Sequence, residues 1–347
     1  MNSDFRSINQ PFSNTVVVNG KTYLYFGGTA YLGIPQNEIF IDLYIEGIKK
    51  FGLNNGTSRN NNIQLGIYED AEQEAAQRFL ADDALITSSG YLAAQLTVKS
   101  LSVFGKVIYA PATHPALWLN AQPDTTIDSF SRWKHHTVET INSSEEQNHV
   151  LISNSMNNLF PEIYDFDFLK EIKPDKKIIL IVDDSHGIGV NNNGLGAFNQ
   201  LPKLINVETV VVASMAKALG VDAGLVLGSK EIIHQLKSTN IFVGASPPAA
   251  AALYAFIHAK DLYQTAWKKL QRNIDHFSDA INLTWKFEQG FPAYLINYPN
   301  LAKDFLKHNI LISSFPYPNA DSGPINRIVL SSWHQPEDID QLISVLK

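Results

Sequence analysis

A series of short apolar runs in the middle of the chain limits its fold more than any other feature. The runs are ALITS (84–88), KVIYA (106–110), TIDSF (126–130), HVLIS (149–153), KIILIVDD (177–184), ETVVVAS (208–214) and AGLVLGS (223–229). Most are continuously apolar rather than alternating, as strands are when helices cover both faces of their sheet. Helix-like segments separate them, so the pattern predicts a parallel α/β sheet inside a three-layer αβα domain.

On either side the pattern changes. NEIFIDLYIEGIKKFG (37–52) and IYEDAEQEAAQRFL (67–80) read as helices, the second with Glu69, Asp70 and Glu72 early, where acids favour the positive end of the helix dipole. VVVNGKTYLYFGG (16–28) reads as a hairpin turning at Asn19-Gly20. After SPPAAAALYAF comes a long helical pattern (259–283), then short strands at 293–298, 309–314 and 325–332 and a last helix at 336–346. The expected division is an N-terminal segment, 1–45, belonging with a smaller α+β lobe; a large domain, 46–240; and a long helix with the C-terminal small domain, 241–347.

The bulk chemistry narrows the classes of function. A net charge of −7 with no basic block removes the electrostatic footprint of a nucleic-acid binder. The absence of cysteine excludes disulfides and thiolate metal sites, and fits a reducing compartment. The first residues, MNSDFRSINQPF, do not read as a signal peptide, and no segment has the length of a membrane span. A soluble, cytoplasmic protein with no membrane partner is expected.

Chemistry concentrates where the apolar runs end. IILIVDDSHGIG puts Asp183, Asp184 and His186 at the carboxyl end of a strand, the edge where open α/β sheets bind ligands. A helix cap or turn explains the same residues. Dinucleotide binding fits poorly, because Asn192 stands where G-x-G-x-x-G needs a third glycine. No second pair of ligands completes a metal site, so none is expected. In ETVVVASMAKALG, Ser214 and Lys217 follow another strand: Lys217 is either a lysine snorkelling to water or an amine kept partly desolvated among small residues for covalent chemistry. SSGYLAAQ (88–95) opens a helix through small residues, as a phosphate cradle or a plain cap does. His114, after the next strand, is on the same expected edge, where its ring could stack on a flat ligand. An anion cradle, a flat ring, an acid and an amine on one edge are the parts of a pyridoxal phosphate site.

With these landmarks in order, the chain resembles the α-oxoamine synthase family, fold-type I pyridoxal-phosphate enzymes that include 8-amino-7-oxononanoate synthases and 2-amino-3-ketobutyrate CoA ligases. The resemblance covers about residues 20–347 and runs through AYLG (30–33), GTSR (56–59), SSGYLAA (88–94), THPALW (113–118), SNSMNN (153–158), VDDSHGIGV (182–190), SMAKALG (214–220), SPPAAAA (246–252) and RIVLSSWHQPEDID (327–340). It implies that Lys217 holds the cofactor and moves the substrate's α-proton. Asp183 would pair with the pyridine nitrogen, His186 with the ring oxygen, and His114 would stack on the ring. Gly90, Tyr91 and Ser214 would serve the phosphate, Ser155 would stand near the cofactor, and Arg327 would grip the amino acid's carboxylate.

The departures from the family pattern concern substrates. Thr29 and Ala30 replace an Asn-Asp pair, leaving Thr29 beside the expected substrate carboxylate; Tyr68 replaces a histidine and Ile63 a glycine. Gly244 and Ala245 occupy the place of a Ser or Thr that reaches a neighbouring subunit's phosphate. The N-terminal segment lacks basic residues that the family uses around acyl-CoA. The resemblance implies a homodimeric C-acyltransferase that joins a small amino acid to an acyl-CoA. An aminotransferase, or a non-catalytic pyridoxal-phosphate protein, is the alternative.

Overall fold

The computed structural model describes residues 5, 7–157, 159–281, 285–296, 298–316 and 321–346. Asn158, Asn282, Leu283 and Asn297, which fall within the motifs and elements expected from sequence, lie outside that set. In chain order the strands are β1 (Thr15–Val18), β2 (Lys21–Phe26), β3 (Asp83–Thr87), β4 (Lys106–Tyr109), β5 (Asn148–Asn154), β6 (Met156–Asn157), β7 (Glu162–Ile163), β8 (Lys177–Asp183), β9 (Val207–Ser214), β10 (Gly224–Gly228), β11 (Lys286–Phe287), β12 (Ala293–Ile296), β13 (Ile310–Pro316) and β14 (Pro324–Val329). The α-helices are α1 (Glu38–Phe51), α2 (Ile67–Arg78), α3 (Gly90–Leu101), α4 (Phe130–Ser143), α5 (Lys230–Lys237), α6 (Asn240–Gly244), α7 (Ala250–His258), α8 (Lys260–Ser278), α9 (Leu301–Lys307) and α10 (Pro336–Leu346).

The chain forms two compact units: Met1–Ile41 with Asn158–Glu162 and Asp261–Lys347, and Asp42–Asn157 with Ile163–Lys260. The larger unit holds a sheet in the order β3-β10-β9-β8-β5-β4. β9, β8, β5 and β4 run parallel, whereas β10 is antiparallel to both β9 and β3. The expected all-parallel sheet is thus corrected at one strand. Two reversals also make β3 co-directional with β9, so five strands end on one edge.

The continuous apolar runs are explained by burial of both faces. On one face Ile152, Ile181, Val210 and Val226 are packed with Ala93, Leu96 and Leu101 of α3 and with Ile233 and Leu236 of α5; on the other, Leu151, Leu180, Val211 and Leu225 are buried as well. Burying each such leucine or isoleucine contributes about 1.5–3 kcal/mol. TIDSF forms no strand. Ser129 instead caps α4 by accepting the Arg132 N–H at 3.4 Å, and Phe130 stacks on Tyr164 at 3.9 Å. A local cap and a ring stack outweigh the weak strand signal of the run.

Residues 241–260 also differ from the division expected from sequence, since they cluster in the larger unit. The reason is the apolar α7, whose Ala251, Leu253, Ala255 and Phe256 are buried. Arg78 of α2 lies over the Phe256 ring at 4.2 Å and donates from Nη2 to its carbonyl at 3.0 Å. No described helix is long and apolar enough to cross a membrane.

The smaller unit is α+β. Its sheet runs β1-β2-β13-β14-β12-β11, with β1 and β2 forming the hairpin at Asn19-Gly20. Both turn residues have positive φ, 51° and 75°, the conformation that asparagine and glycine tolerate in a two-residue turn. Within the RIVLSSWHQPEDID stretch, His334 is fully buried and stacks on Phe26 at 4.3 Å. Its Nδ1 accepts the Ser331 N–H at 2.9 Å, and Nε2 lies 2.9 Å from the Tyr25 carbonyl. Those partners require a neutral ring with its proton on Nε2.

Burial lowers the pKa of His334 from 6.5 to about 4, against the opposing pull of Asp338. Above pH 6.5 the ring is neutral whether the chain is folded or unfolded, so its contribution is complete. Between 6.5 and 4 the unfolded chain gains a proton that the native state refuses, and stability falls with pH by about 3 kcal/mol. Urea unfolding at pH 6.5 and pH 4 should therefore show His334→Gln losing much less stability on acidification than the wild type. Equal losses in the two proteins would contradict this account.

Candidate active site

The carboxyl ends of β3, β5, β8 and β9 meet on one edge of the large sheet, and the loop after β4 joins them. At the end of β3, Ser89 caps α3 by accepting the Leu92 N–H at 3.1 Å. The first N–H groups of a helix have no intrahelical partner; at α3 they belong to Gly90 and Tyr91. A Cβ placed on Gly90 would lie 2.6 Å from the Cβ of Ser214, so only glycine lets α3 begin against the end of β9. Tyr91 is exposed, whereas Ser214 is half-buried.

Asp183 is the last residue of β8. Its Oδ1 accepts the Ser185 N–H at 2.9 Å, and the Ser185 hydroxyl accepts the Ser214 N–H at 2.8 Å. One serine thus ties the acid to the strand end that leads to Lys217. The Ser155 N–H donates to the Asp183 carbonyl at 2.8 Å, and His186 follows in the next turn, half-buried. Asp184 points away into the protein: it is 1% exposed, and its Oδ2 accepts the Ala197 N–H at 2.8 Å. Burial raises the pKa of Asp184 to about 7, while Ser155 and the Ala197 N–H oppose the shift. The two adjacent acids therefore divide, one at the sheet edge and the other inside.

Lys217 does not stand on a helix, as its spacing from Ser214 implies. It lies in the turn joining β9 to the antiparallel β10, which is closed by Met215 N–H to Ala223 O at 2.9 Å and Val221 N–H to Met215 O at 3.1 Å. A reversal, not a crossover helix, presents the lysine.

His114 heads a short 3₁₀ turn (Pro115–Leu117), and its Nδ1 accepts the Ala116 N–H at 3.2 Å. The residue keeps an exposed surface, yet burial of its ring is the main cause of a pKa below 6.5. Asp183 raises that pKa and Lys217 lowers it, so His114 feels the charge of both groups.

Of the residues singled out from sequence, the larger unit brings together Gly90, Tyr91, His114, Ser155, Asp183, His186, Ser214 and Lys217. Arg327 and Thr29 belong to the smaller unit. Arg327 is buried in β14 between Leu295 and Ser313, near enough to Tyr25 and Tyr31 for its charge to lower their pKa values. Burial nonetheless holds Tyr31 at about 12. The Thr29 carbonyl accepts the Tyr31 N–H at 2.8 Å.

The sequence alone does not single out Asn154, Ser185 or the role of Glu72. Glu72 is a buried carboxylate that accepts from Arg59 at 2.7 Å, Lys237 at 2.8 Å and the Ile86 N–H at 3.0 Å. That last bond satisfies an amide of β3, which lies at the rim of its sheet and would otherwise lack a partner. Arg59 also lies over the rings of Tyr68 and Phe242, at 5.1 and 4.8 Å, so Tyr68 forms part of the floor beneath the GTSR loop. Ile63 is exposed, and the Ala245 carbonyl accepts the Arg59 N–H at 3.1 Å. Polar residues immediately after apolar runs were the signal that would have marked Asn154 and Ser185.

The donor set fits a phosphorylated pyridine aldehyde: helix-start amides beside Ser214 for the phosphate, Asp183 for a ring nitrogen, His114 as a flat neighbour and Lys217 for an aldehyde. Among the described residues, no group of three or more His, Asp or Glu could hold a metal ion.

Residues 31–346 match the family model for aminotransferase class I and II. A putative 8-amino-7-oxononanoate synthase of Thermodesulfovibrio yellowstonii is 24% identical over 95% of this chain and 89% of its own length. The 8-amino-7-oxononanoate synthase of Petrotoga mobilis is 26% identical, over 94% and 88%. Among solved structures, serine palmitoyltransferase of Sphingomonas wittichii superposes with a TM-score of 0.79 at 16% identity, covering 98% of this chain and 90% of that one. The 8-amino-7-oxononanoate synthase of Francisella tularensis gives 0.67 at 22% identity, covering 93% and 96%.

Proposed function

Because this chain belongs to the aminotransferase class I and II family, we propose that it is a pyridoxal-phosphate-dependent C-acyltransferase condensing a small amino acid with an acyl-CoA thioester. The observation that carries this reading is the meeting of Lys217, Asp183 and His114 on one sheet edge, with His114 within reach of both other charges, beside the Gly90–Ser214 contact. The synthase and palmitoyltransferase names among its relatives favour acyl transfer over amino transfer.

Bound pyridoxal phosphate supplies an aldehyde to hold the amino acid and a ring that takes up the electron pair left at its α-carbon. The protein does the rest. Gly90 and Tyr91 offer amides to the phosphate, with the Ser214 hydroxyl beside them. The Asp183 carboxylate keeps the ring nitrogen protonated, and His186 holds the ring oxygen, with Ser155 nearby. His114, neutral because Nδ1 is an acceptor, covers the ring face. Lys217 Nζ would hold the aldehyde and would take the α-proton of the amino acid. By the family resemblance, Arg327 would bind the substrate carboxylate through its planar fork, with Thr29 in the place of the family's amide. The enzyme works as a homodimer, as the family resemblance implies.

Incubation with single amino acids and acyl-CoA thioesters tests the reading. Free CoA should appear only when a matching pair is present. Formation of pyridoxamine phosphate from an amino acid and a keto acid, without CoA release, would establish amino transfer instead. A cofactor spectrum unchanged by every amino acid would establish a binding protein.

A further inference from the structure

Asn154, the residue before Ser155 in the SNSMNN stretch, makes two side-chain contacts beside the site. Asn154 ends β5, is 7% exposed, and stands opposite Asp183 in the sheet register. Its Nδ2 donates to the Ala112 carbonyl at 2.8 Å, and its Oδ1 accepts the His114 N–H at 3.1 Å. One amide thus grips the loop on both sides of Thr113, using the paired donor and acceptor that a neighbouring strand would offer.

The loop needs such a clamp. Ala112 has φ 55°, a left-handed conformation that disfavours any residue with a Cβ, and it is exposed, so packing does not hold it there. Downstream, Gln95 Nε2 donates to the carbonyls of Ala116 and Trp118 at 2.8 and 2.9 Å, fixing the other end of the His114 turn. Gln95 locates the turn on the protein; Asn154 sets where His114 leaves the sheet edge.

We propose that Asn154 is a positioning residue that holds the His114 imidazole in register with Asp183 and Lys217, fixing the orientation of the cofactor ring. This rests on the reading that His114 covers that ring.

The test uses Asn154→Ala, His114→Ala, the double variant, and Asn154→Ala combined with Ala112→Gly, all loaded with pyridoxal phosphate. Visible circular dichroism of the bound cofactor reports ring orientation, and titration of the His114 ring protons by NMR in the cofactor-free protein reports its surroundings. Asn154→Ala should weaken cofactor binding about tenfold, through lost preorganisation of the His114 turn. It should also alter the visible dichroism and move the His114 pKa up toward 6.5. In the His114→Ala background the same change should add little. Ala112→Gly makes the left-handed turn inexpensive and should restore much of the signal, and it serves as the measurable variant if Asn154→Ala folds poorly. Unchanged dichroism and an unchanged His114 titration in Asn154→Ala, with His114→Ala altering the cofactor signal, would overturn the positioning role alone. A silent His114→Ala would overturn the functional reading of His114, and this inference with it.

Discussion

Lys217→Ala is expected to give a folded protein to which borohydride no longer fixes the cofactor, with turnover reduced on the order of 10⁴-fold or more. In the proposed function two losses would combine: the amine that anchors the aldehyde, and the base that moves the α-proton, which alone accounts for about 10²–10⁴-fold. Folding should survive because backbone hydrogen bonds of Met215 and Val221 close the turn. An independent readout comes from its neighbour. The Lys217 charge lowers the pKa of His114, so removing it should raise that pKa in the cofactor-free protein. A borohydride-fixed cofactor in the variant would show that another amine holds it, and would end the assignment of Lys217.

Asp183→Asn should come next in severity. The substitution keeps an oxygen able to accept the Ser185 N–H and hardly changes the volume of a half-buried residue, so the sheet edge should keep its shape. What disappears is the negative charge that, in the proposed function, would hold a proton on the ring nitrogen. Removing a preorganised electrostatic partner from a site typically costs on the order of 10²–10³ in rate, and that is the expected fall in kcat/KM. The His114 pKa should fall further in this variant, opposite to the change in Lys217→Ala, because the Asp183 charge raises it. Asp184→Asn separates the two acids: it puts an amide NH2 in place of one carboxyl oxygen in a buried site that still accepts the Ala197 N–H, and stability should register it more than the cofactor spectrum does. Activity of Asp183→Asn within tenfold of the wild type would place the ring's partner elsewhere.

Much of the sheet edge was legible in the sequence because burial on both faces leaves an unmistakable mark. Runs such as KIILIVDD and ETVVVAS stay apolar until the strand emerges, and the first polar residues then lie at the edge. Asp183, Ser214 and Lys217 were found that way, before any distance was known. The Asn19-Gly20 hairpin and α10 were equally plain, since turn chemistry and helical periodicity are local. TIDSF misled because a short run carries no sign of whether a cap, a ring stack or a strand partner will claim it.

The sequence by itself determined that a core of covered strands exists, where each strand ends, and which acids, amines and imidazoles stand at those ends. Strand direction and order were settled by the tertiary structure alone. An apolar run reads the same in either direction, so the reversal of β10, which turns Lys217 back at the end of β9, leaves no trace in composition. The sheet order likewise sets β5 beside β8 and opposes Asn154 to Asp183, residues far apart in the chain. Partners for Asn154, Ser185 and Glu72 could be chosen only when folding brought distant backbone amides and carbonyls within hydrogen-bond reach, because a buried polar group takes whichever complementary group packing delivers.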